Sequence, residues 1–140
     1  MSGPPRAVVV TRPSEFEALL ARHGTAAQAE FFLRTRHLSL APIRARHQAW
    51  EATLTQVSQA IPASWRRARV TRAELARFVF EPTDVIIAVG PDGLVANVAK
   101  YLDEQPVIGV LPTDAAGPGA LVQTPVQRLA DLLAATTARA

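Results

Sequence analysis

A chain of 140 residues with 49% hydrophobic content is long enough for one domain with its own core and too apolar to be intrinsically disordered. Its net charge of +3 is modest, and Lys100 is the only lysine among fifteen Lys and Arg residues, an arginine bias that suits phosphate binding and equally suits a GC-rich coding sequence. Cysteine is absent, which excludes disulfides, thiolate zinc sites and a cysteine nucleophile; no signal-like segment opens the chain and no apolar run nears the ~20 residues that span a membrane, so a soluble, cytoplasmic protein is expected.

The chain alternates between strand and helix signals. Residues 1–6 read as a flexible lead, and Ala7-Val8-Val9-Val10 as a first strand. Thr11-Arg12-Pro13 leads into Ser14, whose spacing to Glu17 predicts a capping box for a helix from Glu15 to about Arg22, ended by Gly24. Thr25 and Gln28 repeat the pattern for a helix through Leu33. From Pro42, the residues Ile43, His47, Trp50, Leu54, Val57 and Ile61 recur every three or four positions, which predicts a long amphipathic helix closed by Pro62. Arg69-Val70 is a weak strand signal, and Thr71 with Glu74 caps a short helix toward Phe78.

Val85-Ile86-Ile87-Ala88-Val89 has no polar interruption and reads as a strand buried on both faces, as in a parallel sheet. It empties into Gly90-Pro91-Asp92-Gly93. Leu94, Val95, Val98 and Leu102 then fall at helical spacing, and Pro106 to Val110 supplies the next strand, completing a βαβ unit. Asp114 to Gly119 reads as a linker, and Thr124-Pro125-Val126-Gln127 as the cap of a last helix running to about Thr137. The expectation is a single three-layer α/β domain over residues 7–140 with a mostly parallel sheet.

Gly-Pro-Asp-Gly is a favourable β-turn sequence that needs no function. Between a buried strand and a helix, however, the tetrapeptide sits where open α/β sheets bind ligands, and amides at a helix start favour an anion. Asp92 beside such an anion suits a base or a metal-orienting group. The motif Val89-Gly90-Pro91-Asp92-Gly93-Leu94, with Val107-Ile108-Gly109-Val110-Leu111 after the helix, resembles the ATP-dependent NAD kinases of the wider NAD kinase and diacylglycerol kinase group. Their hallmark is a Gly-Gly-Asp-Gly loop after a strand and a Gly-Val-Asn strand end. Here Pro91 replaces the second Gly, Leu94 the usual Thr and Leu111 the usual Asn.

The resemblance implies a Rossmann-like N-terminal domain that moves the γ-phosphoryl group of ATP, delivered with Mg2+, to the 2′-hydroxyl of the adenosine ribose of NAD. Asp92 would act as the base. Thr11, Arg12, Gly90, Gly93, Leu94 and Asn97 would contact nucleotide, with Arg12 supplying charge to phosphate. It also implies a C-terminal β-rich domain beyond this chain, a feeble or inactive chain on its own, and a homo-oligomer in the full-length form. A lipid or sugar kinase of the same group and a non-catalytic nucleotide-binding or assembly module remain as alternatives. Nucleic acid and membranes are not expected partners: the tetrads Arg34-Thr-Arg-His37 and Arg44-Ala-Arg-His47 are separated by a break at Pro42. His37 and His47 have no metal-ligand partner motif, and His47 falls on the apolar stripe of its helix, which suits a core-edge role.

Overall fold

Five short β-branched segments pair side by side in the computed structural model, which describes residues 3–111 and 122–138. They are β1 (Arg6–Thr11), β2 (Arg66–Thr71), β3 (Val85–Val89), β4 (Val107–Leu111) and β5 (Val122–Pro125), all parallel, in the spatial order β2-β1-β3-β4-β5. Parallel strands need covering on both faces, and the period of two along each strand supplies both. Ala7 and Val9 of β1 with Val85, Ile87 and Val89 of β3 face one layer, and Val8, Val10, Ile86 and Ala88 face the other.

The first layer is built by α3 (Leu40–Ala60), through Val57, and by α5 (Leu129–Ala138), through Leu129 and Leu133, with Ile61 and Trp65 beyond the end of α3. On the opposite face lie α4 (Asp92–Ala99), through Leu94, Val95 and Val98, and Leu75 of the 3-10 turn Arg72–Arg77. The three-layer α/β architecture expected from the sequence is therefore present. Between β1 and α3, the helices α1 (Glu15–His23) and α2 (Ala26–Arg34) make a satellite cluster with Leu33, Leu40 and Ile43 at its centre.

Local signals account for the helix starts. Ser14 Oγ accepts from Glu17 N–H at 3.1 Å while the Glu17 carboxylate accepts from Ser14 N–H at 3.0 Å, the reciprocal pair of a capping box. Thr25 Oγ1 accepts from Gln28 N–H at 3.1 Å. The long helix α3 begins at Leu40, two residues before the expected start at Pro42, because Ser39 caps it. Pro42 then falls in the first turn, where its missing N–H forfeits no helical bond.

Three expectations need correction. Arg6, placed in a flexible lead, is the first residue of β1. The weak strand at Arg69-Val70 extends over Arg66–Thr71; as an edge strand it carries exposed Arg66, Arg67 and Arg69, and only Val70 is fully buried, so the alternating apolar signal is missing. The segment Thr124-Pro125 does not cap a helix but ends β5, where Pro125 pairs with Leu111, and α5 starts only after a 3-10 turn at Val126–Arg128. Proline is tolerated there because β5 is an edge. The linker at 114–119 lies outside the described residues.

At the amino ends of the strands, Asp84 is completely buried and receives both Arg6 Nε at 2.9 Å and Nη2 at 2.6 Å, together with Glu81 N–H at 2.8 Å. Glu81 in turn pairs with Arg66 at 3.0 Å and Arg6 at 3.3 Å. One carboxylate thus ties β1 to the start of β3, and a second ties both to β2. Hydrogen bonding to Asp84 raises the Arg6 pKa above its ordinary value, and hydrogen bonding from Arg66 lowers that of Glu81.

Candidate functional site

In an open sheet of order 2-1-3-4-5 the connections from β1 and β3 leave in opposite directions, which opens a crevice outside their carboxyl ends. Arg12-Pro13-Ser14 follows β1 there, and Gly90-Pro91-Asp92 follows β3. Arg12, Pro13 and Ser14 face Gly90 and Pro91 across a cleft of about 210 Å³ whose third wall is α3, through Arg46, His47 and Trp50; Asp92 follows Pro91 and is not part of the lining. A larger cleft of about 750 Å³ lies over the ends of β1 and β2, lined by Thr11, Arg22, Arg69 and Thr71 among others. Arg12, Pro13 and Trp50 line both, so the two form adjoining compartments along one edge of the sheet.

The charge of these walls is largely uncompensated. Arg12 and Arg22 make no hydrogen bond or ion pair among the described residues. Arg69 lies with its guanidinium carbon 5.9 Å from the Trp50 ring centroid, and Arg46 pairs with the exposed Glu15 at 2.9 Å. Glu17 is the one acid lining the larger cleft, and its carboxylate is occupied by the Ser14 amide. Two unpaired guanidinium groups in one cleft suit an anionic ligand.

The turn after β3 explains its own composition only in part. Gly90 has a φ of 157°, a conformation that L side chains rarely adopt, and a Cβ there would also press on Leu94 Cδ2 at 3.0 Å, so glycine suits this position. Pro91 is the N-cap of α4, and its carbonyl accepts from Leu94 N–H at 2.9 Å. Asp92 is the first helical residue, half-buried, where the free amides and helix dipole favour a carboxylate. Gly93 is different: it is exposed, and a Cβ there would meet nothing within 4 Å.

Packing therefore does not explain Gly93, which costs helix stability relative to alanine. We expect Gly93→Ala to stabilise the free protein by about 0.5–1 kcal/mol, read from chemical denaturation. If the open space belongs to a ligand, the same variant binds nucleotide more weakly. Raised stability with unchanged affinity would assign Gly93 to neither packing nor binding.

Of the residues singled out in the sequence, Thr11, Arg12 and Gly90 border the clefts, and Asp92 directly follows the wall residue Pro91. Thr11 is buried and pairs in register with Thr71, so it lines the floor. Leu94 lines neither cleft: its side chain is 2% exposed within the core, its N–H bonds to the Pro91 carbonyl, and it packs α4 onto the sheet. Asn97 is also displaced, since α4 runs away from the carboxyl edge and five residues at ~1.5 Å each carry it well beyond Asp92; it lines neither cleft.

Sequence reasoning missed His47 as a group of the site. Its ring is held between Phe16 and Trp50, with centroids 5.1 and 5.8 Å away, and Nδ1 lies 2.7 Å from Ser14 Oγ. The spacing of His47 to Glu51 is visible in the sequence, but Ser14 is 33 residues distant and meets the ring only through the packing of α1 on α3. Among the described residues no cluster of three His, Cys, Asp or Glu side chains could hold a metal ion, and no helix is long and apolar enough to cross a membrane. No protein-family model matches the chain, and no curated protein matches it either.

Proposed function

We propose that this chain is a nucleotide-binding domain of NAD kinase type, which holds ATP and the adenosine end of NAD at the carboxyl edge of its sheet for phosphoryl transfer to the ribose 2′-hydroxyl. The observation that carries the reading is the meeting of Arg12 with Gly90 and Pro91, the residues just before Asp92, at the switch point between β1 and β3, with unpaired cationic side chains on the walls. A cleft of about 750 Å³ has the size of a nucleotide subsite.

In this reading Arg12 binds phosphate oxygens, and the Trp50 edge that lines both clefts packs beside the base or ribose. A hydroxyl is a poor nucleophile until its proton leaves, and Asp92 accepts that proton or orients the hydroxyl. Mg2+ enters with the phosphates of ATP and neutralises the charge that develops on them. The α4 amides beyond Pro91 face the same anion, although Pro91 itself offers none. That missing donor favours, as a second reading, a module that binds nucleotide without turnover. A cytoplasmic location and assembly with further copies or a β-rich domain belong to the proposal as well.

The test is NADP formation from Mg2+-ATP and NAD by the purified chain at high protein concentration, beside sphingoid-base and diacylglycerol substrates. NADP as the preferred product supports the proposal. Transfer to a lipid hydroxyl moves the chain to the lipid kinases of the group, and nucleotide binding without any transfer moves it to the second reading.

A further inference from the structure

Three side chains beside the switch point are left unused by phosphoryl transfer. Ser14 Oγ lies 2.7 Å from His47 Nδ1, and Nε2 of the same ring lies 3.2 Å from Glu51 Oε1, one helical turn along α3. A carboxylate can only accept, so Nε2 of the neutral ring carries the proton, Nδ1 keeps its lone pair, and the Ser14 hydroxyl donates to it. The polarity of the chain is therefore serine to histidine to glutamate, with both distances inside the reach expected of an activated nucleophile.

The surroundings suit such a role. Phe16 and Trp50 hold the imidazole, whose side chain is 14% exposed, so its direction is set by packing. Ser14 Oγ also accepts from Glu17 N–H at 3.1 Å, which fixes the hydroxyl in place and leaves one lone pair for attack. Ser14 and His47 both line the cleft of about 210 Å³, so a small molecule can reach them. Arg12, without a partner among the described residues, lines it too.

We propose that Ser14 and His47 are the nucleophile and base of a second, hydrolytic activity toward small carboxylic esters that carry a negative charge, with Glu51 as the positioning residue. Ser14 Oγ bonds to the ester carbonyl carbon as its proton passes to His47 Nδ1. The bond to the alcohol oxygen then breaks, and that oxygen takes the proton from Nδ1. Water attacks the acyl-serine by the same route, releasing the carboxylic acid and restoring the hydroxyl. The sum is ester and water to acid and alcohol. Arg12 selects the anionic substrate, and the cleft volume limits its size.

Because Ser14 also caps α1, its removal must be separated from unfolding. Glycine is nearly as good a cap, so Ser14→Gly removes the hydroxyl while keeping the start of α1. His47→Gln keeps a hydrogen-bonding group but no base. The folded chain is treated with a fluorophosphonate, the adduct is mapped by mass spectrometry, and p-nitrophenol release is followed from p-nitrophenyl hemisuccinate and p-nitrophenyl acetate. We expect one adduct per chain on Ser14, absent in Ser14→Gly and in heat-unfolded protein, formed about 100-fold more slowly in His47→Gln, with the hemisuccinate cleaved faster than the acetate. No adduct on Ser14 in the folded wild-type chain overturns the proposal. So does equal labelling of wild type and a folded His47→Gln. Neither result bears on NADP formation, so the two activities stand or fall separately.

Discussion

Arg6→Ala lowers the folding stability of this protein by about 3–5 kcal/mol, the scale of a buried ion pair broken from one side. Asp84 is completely buried, and Arg6 satisfies both of its oxygens. Without the guanidinium the carboxylate keeps only the Glu81 amide, so it must stay charged in an apolar surrounding or take up a proton. The double variant Arg6→Met/Asp84→Leu should be less damaging than Arg6→Ala, because a hydrophobic pair leaves no charge to satisfy. Urea denaturation measures both. A loss below about 1 kcal/mol for Arg6→Ala would show that this pair behaves as an exposed one.

The same network sets a pH dependence. Hydrogen bonding from Arg66 lowers the Glu81 pKa from its ordinary 4.5, and backbone hydrogen bonding from Thr71 lowers that of Glu74. A depressed carboxylate pKa means that the unfolded chain binds the proton more readily than the folded one. The contribution is therefore complete above the ordinary value and is lost as pH falls through the lower folded values. Thermal melts between pH 7 and pH 3 should show this decline, and removing Arg66 should reduce it.

Asp92→Asn should lower phosphoryl transfer by about a hundredfold or more, the usual contribution of a positioned base. Asparagine occupies the same volume at the first position of α4 and removes the charge to which the proposed reaction assigns the proton. Its effect on folding should stay within about 1 kcal/mol, the loss of a charge–dipole contact at a helix start. Rate and stability thus separate the chemical role from the turn role. If NADP formation by the variant matches wild type, Asp92 serves only the helix terminus, and the non-catalytic module becomes the better account.

What was legible in the sequence was local or periodic. Ser14 and Glu17 lie three residues apart, so their capping box is written in adjacent text, and the five consecutive apolar residues of β3 admit little but a buried strand. The edge strands were harder. β2 is defined by its pairing with β1 and carries three exposed arginines, and β5 is paired through a segment that reads equally well as a helix cap. Strand pairing is a long-range property, and it overrode the local signal at Thr124-Pro125.

The site divides in the same way. The turn after β3 could be placed at the ligand end of the sheet from its flanking strand and helix. Leu94 drew two readings, a place on the apolar stripe of its helix and a nucleotide contact implied by the resemblance; the structure buries its side chain with that stripe. Trp50 and His47 fell on an apolar stripe, and His47 read as a core-edge residue; that the same edge is a wall of the cleft beside Arg12 follows only from the packing of α1 on α3. Asp84 met Arg6 only through the register that sets Ala7 opposite Val85.

Calorimetric titration of Mg2+-ATP and of NAD into the chain asks whether the carboxyl edge between β1 and β3 binds nucleotide, as proposed. Arg12 is exposed and makes no ion pair among the described residues, so Arg12→Ala should leave the Tm unchanged. The account predicts saturable binding by the wild-type chain and an affinity about tenfold or more weaker in Arg12→Ala, the scale of one hydrogen bond to a charged group. Absence of binding at millimolar nucleotide, or equal affinity in the two proteins, would contradict it.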